Sequence, residues 1–192
     1  MSSVSQADAE AMVEKYHYAR GGSNTAAFRH GLFHKAKPLH CLGVAWWLPP
    51  TPDCGKKWWP QNRQAVLSLS RLVLVPELPK NAATFLLQMS VRLIRKRGDR
   101  WRCLVTYADT WRGHTGHIYK VAGWESLGLG EPEDVWVDAT DKMVSRKAGP
   151  KTRTRQQMEK LGYRCVGKFA KHRFRLCLPE PKEKLHLFSR CE

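Results

Sequence analysis

The sequence predicts an α/β protein built on one mixed β-sheet, and three observations carry that prediction. Residues 65–128 alternate strand, helix, strand, helix, strand with short connections. Such alternation implies right-handed crossovers and parallel pairing of at least the first two strands. Upstream, the β-rich runs "FRHGLFH" and "LHCLGVAWWLPP" are separated only by "KAKP" and read as a hairpin, which makes the sheet mixed. With 192 residues, 42% of them apolar, the chain has the material for one core, so residues 1–192 are expected to form a single domain.

The elements follow in order. Ala9, Met12, Val13 and Tyr16 fall at i, i+3, i+4 and i+7 behind Ser5, which predicts a helix ending near Tyr16. After the hairpin, "TPDCGKKWWPQN" carries prolines and paired tryptophans and reads as a loop. "AVLSLSRLVLVP", residues 65–76, is the strongest strand signal. The segment after it is the strongest helix signal: Ala82, Phe85, Leu86, Met89 and Leu93 make one apolar face, with Asn81 as N-cap and Lys96, Arg97 and Gly98 suited to the C-terminus. "RCLVTYAD" is a second apolar strand. "GHTGHIYKVAGW" then reads as a short helix closed by Gly123, and Trp124 opens a further strand. From residue 129 the character changes. "GLGEPEDVW" is acidic, and residues 141–175 then hold 12 Lys or Arg against two acidic residues. Inside this basic insertion, residues 129–167, "TRTRQQMEKLGY" can form a helix; "KFAKHRFRLCLP" reads as the last strand and residues 180–192 as a tail.

Charge narrows the function classes. There are 33 Lys and Arg against 17 Asp and Glu, a net charge of +16, and a folded protein carries that self-repulsion most readily beside a polyanion. Nucleic acid is the partner this points to first, and a basic but non-binding surface is the alternative. The six cysteines have no CxxC pair or zinc-finger spacing and read as reduced thiols. The first residues lack the apolar block of a signal peptide, and no segment approaches the about 20 apolar residues that span a bilayer. No membrane partner is therefore expected.

The order hairpin, strand, helix, strand, helix, strand, basic insertion, strand resembles the GNAT fold of N-acetyltransferases. That resemblance implies an acyl-CoA-like donor, with its phosphate on the helix start "PKNAAT", that is Pro79, Lys80, Asn81, Ala82, Ala83 and Thr84. The usual Gln/Arg-x-x-Gly-x-Gly/Ala loop is absent. Tyr119 stands four residues before Gly123-Trp124, the spacing of the GNAT tyrosine that protonates a departing thiolate, although a tyrosine on an amphipathic helix also serves as core. A closer resemblance is to the bacteriophage Mom family of DNA-modification proteins. It is carried by "EKYHYAR", "LSRLVLVPELPKNAATFLLQMSVRLIRKR", "LVTYADTWRGHTGHIYKVAGW" and "KHRFRL", about half the chain in the same order. It implies transfer of a carbamoylmethyl group to the 6-amino group of adenine in double-stranded DNA, in the cytoplasm of an infected host, as protection against restriction nucleases. The alternatives are a GNAT acyltransferase acting on another amine, or a non-catalytic DNA-binding protein on the same scaffold.

Candidate site residues follow from what such chemistry needs. The amino lone pair of adenine is delocalised, so the base must be positioned, a proton accepted and charge stabilised. His17 can be a base, a metal ligand or a helix cap; Tyr18 can stack on a base or donate a hydrogen bond; Tyr16 and Trp111 are further stacking candidates. Asp109, at the carboxyl end of a strand, can accept a proton, orient His17, bind metal or cap the next element. Tyr119 and Asp109 are expected to converge on one pocket. Ser70 and Arg71 alternate along a strand, so only one, Ser70 by its size, is expected to line the cleft. A metal ion, iron by donor type, would be held by His17 and Asp109, with His114 and His117 sharing a helix face. DNA phosphates would meet Arg146, Lys147, Lys151, Arg153 and Arg155 of the insertion and Lys171, His172 and Arg173 of the last strand.

Overall fold

A computed structural model describes residues 1–19, 25–98, 100–148 and 151–179. Among these residues the main sheet has seven strands: β1 (Ser2–Ser3), β2 (Phe28–His34), β3 (Lys37–Leu48), β4 (Val66–Leu74), β5 (Cys103–Asp109), β6 (Glu125–Leu129) and the late strand β12 (Lys171–Cys177). Their order is β1-β2-β3-β4-β5-β12-β6. Strands β2 and β3 form the expected hairpin, and β4 runs parallel to β5. β12 inserts antiparallel between β5 and β6, so the second helical connection does not return its strand to the side of β5.

Two helices cover opposite faces of the hairpin. Helix α1 (Gln6–Tyr16) is capped by the Ser5 hydroxyl and lays Ala9, Met12 and Val13 on Val44 and Trp46. Helix α3 (Ala82–Lys96) packs Leu86, Leu87, Val91 and Ile94 against Ala45, Trp47, Leu67 and Leu69 of the other face. Its buried stripe is turned from the predicted one, for Phe85 is 49% exposed while Ser90 is fully buried. The reason is polar: Ser90 Oγ receives Trp47 Nε1–H at 2.7 Å and pairs with His30 Nδ1 at 2.7 Å, which satisfies three buried polar groups at once. Asn81 occupies the N-cap position of α3 but its side chain makes no cap bond.

Three segments depart from the sequence reading. The loop after β3 contains helix α2 (Pro52–Trp58), opened by Pro52 in the first turn, and buries Trp58 against Val66, Cys103 and Val105. The basic insertion folds into small sheets of its own. Strands β7 (Glu133–Val137), β8 (Met143–Val144) and β11 (Arg164–Phe169) pair in the order β11-β7-β8; β9 (Lys147–Ala148) pairs with β10 (Lys151–Thr152); helix α5 (Arg155–Lys160) starts from a Thr154 capping box. The predicted last strand is thus two strands, β11 and β12, broken at Ala170. The predicted tail, 180–192, lies outside the described residues. Among those described, no helix is long and apolar enough to cross a membrane.

Candidate active site

The site begins as a phase slip in β4. Apolar residues stand at 67, 69, 72 and 74, so strict alternation fails between Leu69 and Leu72. The pairing shows why: Trp46 lies opposite Arg71 and Trp47 opposite Leu69, leaving Ser70 as the extra residue of a β-bulge. Leu69 and Leu72 both pack toward α3, while Arg71 turns away; its Nε donates to Ala19 O at 3.0 Å and its Nη1 to Ser70 O at 2.8 Å and Ser70 Oγ at 3.1 Å. Ser70 is among the residues that line the cleft. The parallel pairing of β4 with β5 ends at Ser68 opposite Val105, just before the bulge, so the two strands part there.

A cavity of about 360 Å³ fills the gap. It is lined by Leu69, Ser70 and Leu72 from β4, by Thr106, Tyr107 and Ala108 from β5, by Ala83 at the start of α3, by residues 113–119, and by His17 and Tyr18. Helix α4 (His117–Val121) places Tyr119 in it. The Tyr119 ring sits 5.1 Å from Phe174 and 5.8 Å from Trp124, so the residue is both core and cavity wall. Burial raises its hydroxyl above the ordinary phenol range, opposed by a hydrogen bond with the Thr106 side chain. Thr106 Oγ1 in turn donates to Leu69 O at 3.3 Å, tying the parted strands together. Gly116, with φ of 70°, lies so close to the Phe174 ring that any Cβ there would overlap it; this glycine lets α4 seat against β12.

At the mouth of the cavity His17 and Tyr18 stack at 4.5 Å, and His114 meets Tyr18 edge-on at 5.6 Å. Arg112 lies 5.4 Å from the Tyr18 ring and 3.8 Å from that of Trp111. Burial, followed by the charge of Arg71, lowers His17 to about 4, so the ring is neutral near pH 7. Its Nδ1 accepts the Ala19 N–H at 3.1 Å, which puts the proton of the neutral ring on Nε2. Of the roles the sequence left open for His17, the structure shows the helix cap, at the C-terminus of α1, with the ring also lining the cavity. Burial, then the nearby Asp109 carboxylate, raises Tyr18 to about 12.

The comparisons bear on this geometry. The profile of the Mom protein family matches residues 1–185. The chain belongs to the Mom protein family. No curated protein matches significantly. Among solved structures, the ribosomal-protein-S18-alanine N-acetyltransferase from Escherichia coli is similar at a TM-score of 0.57 and 13% identity, over 96% of this chain and 97% of that one. An N-acetyltransferase from Staphylococcus aureus Mu50 gives 0.53 and 13%, over 92% and 96%. This Mom family chain has the GNAT N-acetyltransferase fold.

In this fold Asp109 does not join Tyr119. Leu104 and Ala108 of β5 face the α3 core with Tyr119, whereas Cys103 and Val105 face Trp58 of α2. Alternation puts Asp109 with the latter set, where it is 3% exposed, caps the following turn through Oδ1 to Trp111 N at 3.2 Å, and lines a second cavity of about 510 Å³. Tyr119 and Asp109, expected to converge on one pocket, thus line two different cavities. The metal set of His17 and Asp109 fails with it: among the described residues no cluster of three or more His, Cys, Asp or Glu has the arrangement to hold a metal ion. His114 precedes α4, so it does not share a helix face with His117, although both line the first cavity.

Of the proposed donor residues only Ala83 lines the first cavity. Of the cationic residues, Arg146, Lys147 and Lys171 gather around the second; Lys151 and Arg153 line a neighbouring hollow. Arg155 is engaged by Glu159 at 3.3 Å. His172 lies opposite Ala108 in the sheet, facing away from Lys171 and Arg173, because neighbouring residues of a strand point to opposite faces. The Nη2 of Arg173 donates to Leu127 O at 2.9 Å. Sequence reasoning missed Thr106, Tyr107 and Trp58, whose Nε1 donates to the Tyr107 hydroxyl at 3.1 Å. Their signal is tertiary, for Trp58 lies 49 residues from Tyr107.

Proposed function

We propose that the chain is a DNA-modifying transferase that places a carbamoylmethyl group on the 6-amino group of adenine, shielding phage DNA from host restriction. Family membership and fold support the coarser part, a transferase with an acyl-transfer or DNA-modification role. The observation that carries the reading is the cavity between the parted β4 and β5, where the buried Tyr119 hydroxyl, the bulge at Ser70 and the start of α3 meet.

The residues fit a phosphate-bearing acyl-CoA-like donor: Ala83 lines the cavity at the start of a 15-residue helix, whose first amides and dipole favour an anion. When bound, such a donor supplies a leaving group; for a carbamoylmethyl product that group departs from the CH2 that bonds to the amino nitrogen, which gives up a proton, since attack at an acyl carbonyl gives an amide. The protein's part is proton placement. Tyr119 keeps its proton at neutral pH and holds it inside the cavity, with Thr106 and Leu69 O fixing its position. His17 presents Nε2–H and Tyr18 a protonated hydroxyl at the mouth. The +16 charge favours approach to a polyanion, and Arg146, Lys147 and Lys171 lie beyond the end of β5 to meet phosphates.

The test is the mass of nucleosides released from the DNA of cells expressing the full chain. A carbamoylmethyl increment on deoxyadenosine is expected. Unmodified adenine throughout, from cells holding soluble folded protein, overturns the reading and leaves an acyltransferase acting on another amine.

A further inference from the structure

Outside both cavities, the sheet brings two thiols together. Cys103 opens β5 and Cys177 closes β12, and the strand register sets them directly opposite one another. Flanking bonds fix the kind of pair they make: Leu178 N donates to Arg102 O at 2.8 Å, and at the other end of the pairing Thr110 N donates to Ala170 O at 3.4 Å. Bonded and unbonded pairs alternate along an antiparallel ladder, so 103 and 177 form an unbonded pair. In such a pair the Cα atoms stand about 4.5 Å apart with both side chains on one face, inside the span of about 4.4–6.8 Å that a disulfide bridges. Cys103 is fully buried beside Trp58 and Val105, whereas Cys177 is exposed. One thiol is thus open to a reagent in solution, and the other lies directly across the ladder from it. Cys54 packs on the same cluster, but its Sγ lies 3.5 Å from the Tyr107 hydroxyl.

We infer that Cys103 and Cys177 are a redox pair, oxidised to a reversible cross-strand disulfide by a low-molecular-weight disulfide such as oxidised glutathione. The Cys177 thiolate attacks one sulfur of the oxidant, forming a mixed disulfide and releasing one thiol. Cys103 then loses its proton and attacks the Cys177 sulfur, which releases the second thiol. Two protein thiols are oxidised while one disulfide is reduced to two thiols, so atoms and electrons balance. Burial pushes the Cys103 thiol up to about 12, which makes the second step the slow one. The bond closes a loop that holds α4 with Tyr119, β6 and the whole insertion. That loop supplies lining residues to both cavities, and β12 packs Phe174 on the Tyr119 ring at 5.1 Å. Oxidation therefore fastens the two ends of the segment on which both cavities depend, whatever acceptor the chain modifies.

The test takes the full chain, purified reduced and kept folded, through buffers of rising oxidised to reduced glutathione, followed by alkylation and digestion without reduction. Peptides linked through Cys103 and Cys177, from protein lighter by two hydrogen atoms, are expected. Folding and the bond favour each other reciprocally, so the glutathione ratio that half-forms the bond is at least about tenfold lower for folded protein than for the urea-unfolded chain. Oxidation raises the urea midpoint of wild type and of Cys54→Ser, and leaves that of Cys177→Ser unchanged. The exposure of Cys177 lets that variant fold. Free thiols throughout, Cys177 held only as a glutathione adduct, or a bond mapped to any other cysteine overturns the pair. So does an equal ratio for folded and unfolded chain, or a midpoint that rises as much in Cys177→Ser as in wild type.

Discussion

Replacing Tyr119 by Phe removes one hydroxyl and keeps the ring in its contacts with Phe174 and Trp124. The hydrogen bond lost is the one with Thr106, and Thr106 Oγ1 retains Leu69 O as a partner, so no buried polar group is orphaned. The stability cost is then that of one net hydrogen bond, about 0.5–1.5 kcal/mol. A domain with even about 5 kcal/mol to spare keeps its unfolded fraction below about 1% after such a loss. Removing a positioned general acid costs far more, about 10²- to 10⁴-fold in rate. The two effects are therefore separable. The assay pairs urea unfolding of the purified variant with the time course of adenine modification per unit of soluble protein. The expected result is a small shift in the urea midpoint and a modification rate down by at least about 100-fold. A rate within about tenfold of wild type refutes the role of Tyr119 in proton delivery. So does a loss of rate that merely follows the unfolded fraction.

Three further outcomes are expected. Gly116→Ala forces a methyl into the Phe174 ring at φ of 70° and lowers unfolding free energy by about 2–5 kcal/mol, read by urea denaturation; a variant as stable as wild type contradicts the close approach of α4 to β12. Burial lowers His30 to about 4 from an ordinary 6.5, so the unfolded chain binds the extra proton first. Stability falls by up to about 3 kcal/mol as pH drops from 6.5 toward 4 and gains nothing from this group above 6.5; His30→Asn flattens that part of the profile, and an unchanged slope rejects the assignment. Lys147→Ala lowers the slope of log affinity for duplex DNA against log salt by about one, whereas Arg175→Ala leaves it unchanged, because Glu125 Oε2 already receives Arg175 Nε at 2.9 Å and Nη2 at 2.7 Å; equal effects from the two contradict the placement of phosphates at the second cavity.

Much of the scaffold was legible locally. Ser5 capping α1, the β2–β3 hairpin, the succession β4, α3, β5, α4 and the position of Tyr119 were all read from residues close in sequence. The bulge was legible too, as apolar positions shifting from 67 and 69 to 72 and 74, though strict alternation hid it. Pro52 at the start of α2 was a helix signal outweighed by the neighbouring tryptophans. Strand β7 was obscured because its acidic residues edge the second cavity and only Val135, Trp136 and Val137 are buried. For Asp109 the sequence left a cleft role and a cap open, and the structure shows the cap, with Trp111 N–H donating to its Oδ1.

By itself the sequence determined the succession α1, β2, β3, β4, α3, β5, α4, β6, the strong positive charge and the presence of a tyrosine on the helix after β5, since periodicity and charge are local or additive properties. Only the tertiary structure decided which groups meet. It placed Asp109 and Tyr119 in different cavities, joined Thr106 to Leu69 across the parted strands, and gathered Arg146, Lys147 and Lys171 around the second cavity. Those contacts depend on strand pairing between residues far apart in the chain, and pairing register is settled by the packing of the whole core.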